Sequence, residues 1–169
     1  NDQKKLNKLC GNDKQQWQLI YRASRDGFTA QAFHKLCDNR CPTMVIVRSH
    51  NQCVFGGFTS ITWSSTAADR ADPFAFLFTL KNPFGIPPTK YPINTRSVMF
   101  AVSHKNTRGP AFGSVHNGGS DIFLHSPFNE AGSRTFFPRT YQDTTGRAST
   151  TFTGDSHFYC DDLEVFTPI

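Results

Sequence analysis

The sequence predicts a mainly β fold, a sandwich of two antiparallel sheets with two or more short flanking helices. The 169 residues include 17 Phe, and aromatic side chains bury large areas and favour strands. Short apolar or alternating segments recur along the chain between Gly, Pro and Asn turn signals, which is typical of antiparallel sheets. A chain of this length can bury one core, so we expect a single domain over residues 1–169.

The N-terminal part of the chain carries two helical patterns around one strand. Residues 2–10 place apolar side chains on one face and lysines on the other, which predicts a short amphipathic helix. The alternation from Trp17 to Arg22 predicts a strand with one buried face. Thr29 is a suitable N-cap for a second helix, which is predicted to end near residues 37–39.

The remainder of the chain reads as strands joined by turns and loops. We expect a hairpin with its turn at residues 50–52, followed by further strands; the predicted strands are 43–47, 53–58, 74–80, 97–102, 121–124 and 163–166. Loops are predicted over 64–73 and 82–92, and a turn over 109–113. Residues 126–150 are polar with little hydrophobic pattern, so we expect a long surface excursion, whose length indicates function or mobility.

A charged segment directly after the first strand is the main candidate site. It contains Arg22, Ser24, Arg25 and Asp26. Charges at the mouth of a hydrophobic core cost several kcal/mol unless they pair, so we expect these residues to hold each other in a fixed turn. Two interpretations follow: a structural clamp that joins the strand to the next helix, which we favour, or a recognition surface.

A glycine pair interrupts the second strand of the predicted hairpin. Gly56 and Gly57 lie between Phe55 and Phe58, inside an otherwise apolar run. Glycine inside a strand indicates a bulge or a place where another part of the chain approaches closely. We therefore include the pair among the candidate site residues.

Charge and hydropathy narrow the classes of partner. The net charge is +5 with a pI near 9.1, which is compatible with an acidic partner. The Lys and Arg residues are scattered, however, and no RNA-binding aromatic signature accompanies them, so a nucleic-acid partner is not expected. No apolar stretch approaches the ~20 residues of a membrane helix, so we expect no membrane insertion.

The five cysteines cannot all pair within one chain because their number is odd. We expect free thiols in a reducing compartment, which favours a cytoplasmic location and leaves secretion open. Cys37 and Cys41 have no second cysteine pair to complete a zinc site. The five residues are Cys10, Cys37, Cys41, Cys53 and Cys160.

No motif of a known reaction is present in the sequence. It lacks a nucleophile elbow, a phosphate-binding loop, a dinucleotide fingerprint and a zinc-protease helix. We therefore expect no catalytic residues, no cofactor and no metal. A binding role is favoured over catalysis, although catalytic groups can converge from distant loops.

An ordered series of short motifs runs along almost the whole chain. The motifs are Trp17, Tyr21–Phe28, Phe33-His34, Cys37-Asp38, Pro42-Thr43, Phe55–Phe58, Trp63, Asp72-Pro73, Ala75–Phe78, Gly109–Gly113, Asp121-Ile122 and Glu164–Phe166. Together they resemble the TLDc domain, the module of oxidation-resistance proteins. The resemblance implies a β-sandwich, a role in protection against oxidative stress and a protein partner. Several members of that family bind the catalytic sector of the vacuolar proton pump (V-ATPase) and regulate its assembly, and the family has no agreed catalytic residues.

Two other functions stay open on the sequence. A secreted lectin-like or defence (cytotoxic) protein could use the same fold and bind carbohydrate; secretion would predict a disulfide, most simply Cys37 with Cys41 or Cys10. A thiol-dependent antioxidant activity would require one exposed cysteine with a lowered pKa.

Overall fold

The computed structural model describes residues 2–169, which form two antiparallel sheets of six strands each. The predicted β-sandwich is confirmed. The first sheet has the strand order β1-β12-β2-β3-β5-β6, and the second has the order β11-β10-β9-β8-β7-β4. The strands are β1 (Trp17–Arg22), β2 (Thr43–Ser49), β3 (Val54–Thr59), β4 (Asp69–Arg70), β5 (Phe76–Lys81), β6 (Thr89–Pro92), β7 (Val102–Ser103), β8 (Arg108–Ser114), β9 (Gly119–His125), β10 (Ser133–Arg134), β11 (His157–Phe158) and β12 (Cys160–Pro168).

Short helices flank the sandwich, as predicted. The α-helices are α1 (Asp2–Cys10), α2 (Ala23–Asp26) and α3 (Ala30–Cys37), and 3₁₀ helices cover Thr95–Phe100, Val115–Asn117 and Ala148–Thr150. α3 begins at the predicted cap, because Thr29 Oγ1 accepts a hydrogen bond from Ala32 N at 3.2 Å. α1 is tied to the first strand by Trp17, whose Nε1 donates to Asn7 Oδ1 at 2.8 Å.

Aromatic side chains fill the space between the two sheets. Trp63 is fully buried and packs edge-on against Phe33 and Phe112. A smaller apolar cluster, which includes Met44, Phe78 and Leu6 of α1, lies on the other face of the first sheet. Because side chains alternate along a strand, β2 contributes Val45 and Val47 to the central core and Met44 to the cluster beneath α1.

Two predicted elements between residues 97 and 113 are wrong. The expected strand 97–102 is mostly a 3₁₀ helix, Thr95–Phe100. Its start is fixed by Asn94, whose Oδ1 accepts from Arg96 N at 3.0 Å, and this local cap outweighs the strand propensity of the apolar residues. The expected turn 109–113 lies inside strand β8, where the small size of Gly109 leaves room for the Phe128 ring.

The expected surface excursion 126–150 is instead part of the second layer. It contains strand β10, and Phe128, Phe137 and Tyr141 are buried within it. Its sequence looks polar because three of its buried residues are Ser133, Thr135 and Thr140. The two other predicted loops also contain short strands, β4 within 64–73 and β6 at the end of 82–92.

Candidate functional site

The charged segment predicted from the sequence forms a corner at the side of the first sheet. We define the α2 corner as Arg22, Ser24, Arg25 and Asp26. The helix α2 joins β1 to α3, and both β1 and α2 lie against the long strand β12. Asp162 and Glu164 of β12 complete the arrangement.

Each charged side chain of the α2 corner has a partner. Arg25 donates two hydrogen bonds to Asp26, from Nε to Oδ1 at 2.8 Å and from a second guanidinium nitrogen to Oδ2 at 2.7 Å. These bonds lower the pKa of the Asp26 carboxyl. Asp26 Oδ2 also accepts from Arg22 N at 2.9 Å. Arg22 Nε donates to Glu164 Oε1 at 2.7 Å, and Ser24 Oγ donates to Asp162 Oδ2 at 2.7 Å.

The paired arginines lie at the surface, which changes the interpretation of the segment. The side chains of Arg22 and Arg25 are 43% and 52% exposed, so water screens their ion pairs and these add little stability. The two ion pairs therefore fix the positions of the guanidinium groups and contribute little to the free energy of folding. A recognition role for the α2 corner stays a prediction.

The glycine pair lies elsewhere, in the interior of the first sheet. Gly56 and Gly57 are buried on β3, two places from β12 in the strand order. A Cβ on Gly56 would overlap the Val45 carbonyl oxygen, and a Cβ on Gly57 would lie 2.6 Å from the Phe112 ring of the second sheet. Gly56 therefore lets β2 and β3 approach closely, and Gly57 makes room for the Phe112 ring. Neither glycine is placed to contact a partner.

Two aspartates of the resemblance motifs, Asp72 and Asp121, are buried in the structure, which no sequence pattern indicated. Asp121 is fully buried and accepts hydrogen bonds from the backbone N–H groups of Arg139, Thr140 and Tyr141 at 2.8, 2.9 and 3.1 Å. Burial raises the pKa of Asp121 to about 6, and these donors oppose the shift. Asp72 similarly accepts from Thr59 Oγ1 and from Ser60. Both carboxylates fasten loops to the sheets.

Comparison with known families decides the relationship of this chain. A family model, described as the TLDc domain, matches residues 2–168. The chain belongs to the TLDc domain family. No similar protein was found among curated sequences. Several of the motifs that carry the resemblance lie on central strands of this TLDc domain: Phe55–Phe58 on β3, Phe76–Phe78 on β5 and Glu164–Phe166 on β12.

A Ser-His-Asp group on the second sheet of the TLDc domain differs from a catalytic triad. Ser114 Oγ and His116 Nδ1 both lie 2.6 Å from the same oxygen, Asp69 Oδ2. The serine hydroxyl therefore donates to the carboxylate, whereas a triad requires the histidine to stand between them. Ser114 is also fully buried.

The cysteines of the TLDc domain are all free, including the three for which a disulfide was considered. Burial raises the pKa of the Cys37 and Cys160 thiols, and also the pKa of Cys10 and Cys53. A raised pKa opposes the thiolate that peroxide chemistry needs. Cys41 is the exposed thiol.

We expect one fast-reacting thiol in the native protein. Cys41 should react with a colorimetric disulfide reagent in the first phase. The remaining thiols should react at least roughly tenfold more slowly, because Cys37, Cys53 and Cys160 are buried and Cys10 is partly buried with a raised pKa. Denaturation without reductant should release all five thiols. The Cys41→Ser variant should lose the fast phase, and a fast phase that survives in this variant would contradict the assignment.

Among residues 2–169, no group of three or more His, Cys, Asp or Glu side chains is placed to hold a metal ion. None of the helices described over this range is long and apolar enough to cross a membrane.

Proposed function

We propose that this TLDc domain is a non-catalytic protein-interaction module and that the α2 corner recognises its protein partner. The observation that carries the proposal is the ordering of two half-exposed arginines by carboxylates, Arg25 by Asp26 and Arg22 by Glu164. Arginine is enriched at the energetic centres of protein interfaces. A side chain that is already ordered loses less conformational entropy when it binds.

The partner class follows from the family. TLDc resemblance implies protection against oxidative stress and, in several members, regulation of the vacuolar proton pump. We extend both to this chain as part of the proposal, with the catalytic sector of the pump as the partner. The pKa values of the Cys37 and Cys160 thiols are raised, so these two buried residues do not support the thiol-dependent alternative, which would depend on the exposed Cys41.

The test is capture of pump subunits from a lysate by the tagged chain and by Arg25→Ala. Removing Arg25 should lower the amount of captured catalytic-sector subunits by at least roughly tenfold, since loss of one interface arginine often removes more than 1.4 kcal/mol. The matched control is Arg40→Ala, which removes an exposed arginine and should capture wild-type amounts. Unfolding midpoints of both variants should match the wild type.

Two outcomes would overturn separate parts of the proposal. Equal capture by wild type and Arg25→Ala would exclude the α2 corner as the recognition surface. Absence of every pump subunit from the wild-type capture, with other proteins lost in Arg25→Ala, would exclude the pump and retain the interaction module.

A further inference from the structure

A second charged surface lies on the outer face of the second sheet. We define the basic-aromatic face as Arg108, Phe123, Arg134, Phe136 and Arg139. Arg134 of β10 pairs with Phe123 of β9 across the sheet. The segment 133–137 alternates buried and exposed residues, so Arg134 and Phe136 both face solvent while Phe137 enters the core.

Arginine side chains lie over the aromatic rings of this face. The guanidinium carbon of Arg108 lies 4.5 Å from the centre of the Phe123 ring, and that of Arg134 lies 5.6 Å from the centre of the Phe136 ring. A guanidinium over a ring is held by its attraction to the ring's negative face. The stacking orders the cations and leaves their N–H donors available for an acceptor.

The arginines of the basic-aromatic face lack acidic partners, in contrast to those of the α2 corner. Within residues 2–169, no carboxylate lies within ion-pairing distance of Arg108, Arg134 or Arg139. Asp155, which precedes β11 in the sequence, does not pair with these arginines; its Oδ1 lies 3.8 Å from Nδ1 of His157. Three cations on one face are therefore electrostatically uncompensated.

The face is shaped as an open groove. Two hollows of about 570 and 480 Å³ share Arg134 in their lining. The first also contains Phe136, Arg139 and His157, and the second contains Arg108 and Phe123. The first is lined by β10, β11 and the segments 135–139 and 148–149, and the second mainly by residues of β8, β9 and β10, so the two hollows adjoin at Arg134.

We propose that this groove binds an acidic segment of a protein partner. Its uncompensated guanidinium groups match carboxylate side chains in charge and in their capacity for paired hydrogen bonds. A single-stranded nucleic acid fits less well, because base stacking needs free ring faces and Arg108 and Arg134 each cover one face of a phenylalanine. The inference rests on the proposed interaction function and adds a second surface with a stated partner chemistry.

The test is fluorescence anisotropy of a labelled oligoglutamate peptide with the purified chain at about 100 mM salt, where long-range attraction is largely screened. The double variant R108A/R134A should bind at least roughly tenfold more weakly than wild type, because two charge-assisted contacts are lost. R108K/R134K should be intermediate, since lysine keeps the charge and loses the planar donor pair. Unfolding midpoints report whether each variant is folded.

A control variant that loses the same charge elsewhere on the surface distinguishes specific binding in the groove from general electrostatic attraction of the peptide. The control R40A/K81A removes the same charge at exposed positions and should change the affinity by less than about twofold. Equal weakening in both double variants would overturn the proposal, as would tighter binding of an oligothymidine of equal charge. Arg25→Ala should leave peptide binding unchanged, so failure of the α2 corner and failure of this groove are distinguishable.

Discussion

Gly56→Ala is expected to abolish the folded state at ordinary temperatures, with a loss of more than about 4 kcal/mol of folding free energy. The added methyl group would overlap the carbonyl oxygen of Val45, and it would also lie 2.9 Å from the Val45 carbonyl carbon. These are backbone atoms of the neighbouring strand β2, so relief requires separation of β2 and β3 at the centre of the first sheet. The measurement is the far-ultraviolet circular dichroism and urea midpoint of the purified variant.

Gly85→Ala is the matched control for this substitution. Gly85 has open space around it and a φ of +67°, so alanine there should cost only the strain of a left-handed backbone, about 1–2 kcal/mol. A Gly56→Ala variant with the urea midpoint of the wild type would show that the close approach of β2 and β3 is not as described.

Asp121→Ala is expected to lower the free energy of unfolding by roughly 3–5 kcal/mol, since an unsatisfied buried donor costs about 1–3 kcal/mol. Its carboxylate is the acceptor for the N–H groups of Arg139, Thr140 and Tyr141. Without it, the segment 139–141 loses its attachment to β9, and the buried ring of Tyr141 loses part of its support. Chemical denaturation of the variant and the wild type measures the difference.

A conservative replacement and a surface control sharpen this experiment. Asp121→Asn keeps one acceptor oxygen and should fall between the wild type and Asp121→Ala. Asp13→Ala removes an exposed aspartate and should leave the urea midpoint unchanged. If Asp121→Ala were as stable as Asp13→Ala, the three hydrogen bonds would not hold the segment as we infer.

The parts of the fold that follow from local pattern were predictable from the sequence. The hairpin of β2 and β3 and the last strand follow from continuous apolar or alternating runs, and α3 follows from the cap at Thr29. The 3₁₀ helix at Thr95–Phe100 was not predictable from apolar spacing, because a single cap at Asn94 sets it. The segment 126–150 was missed because three of its six buried residues, Ser133, Thr135 and Thr140, are polar, which leaves little apolar pattern in the sequence.

The candidate sites also combine features that local sequence predicts with features that only the folded chain brings together. The pairing of Arg25 with Asp26 is between adjacent residues and could be expected from the sequence. Arg22 pairs with Glu164, which lies 142 residues further along the chain, and no local pattern links them. The basic-aromatic face takes its arginines and phenylalanines from β8, β9, β10 and the segment after β10, so only the sheet order brings them together.

Hydrogen exchange of the captured complex tests most directly whether the α2 corner contacts a protein partner. The chain is compared free and in the complex that the tagged wild type retains from lysate, with exchange read by mass spectrometry. We expect the backbone amides of residues 22–27 to exchange more slowly in the complex than in the free chain. Unchanged exchange at residues 22–27, with protection confined to another part of the chain, would contradict the account.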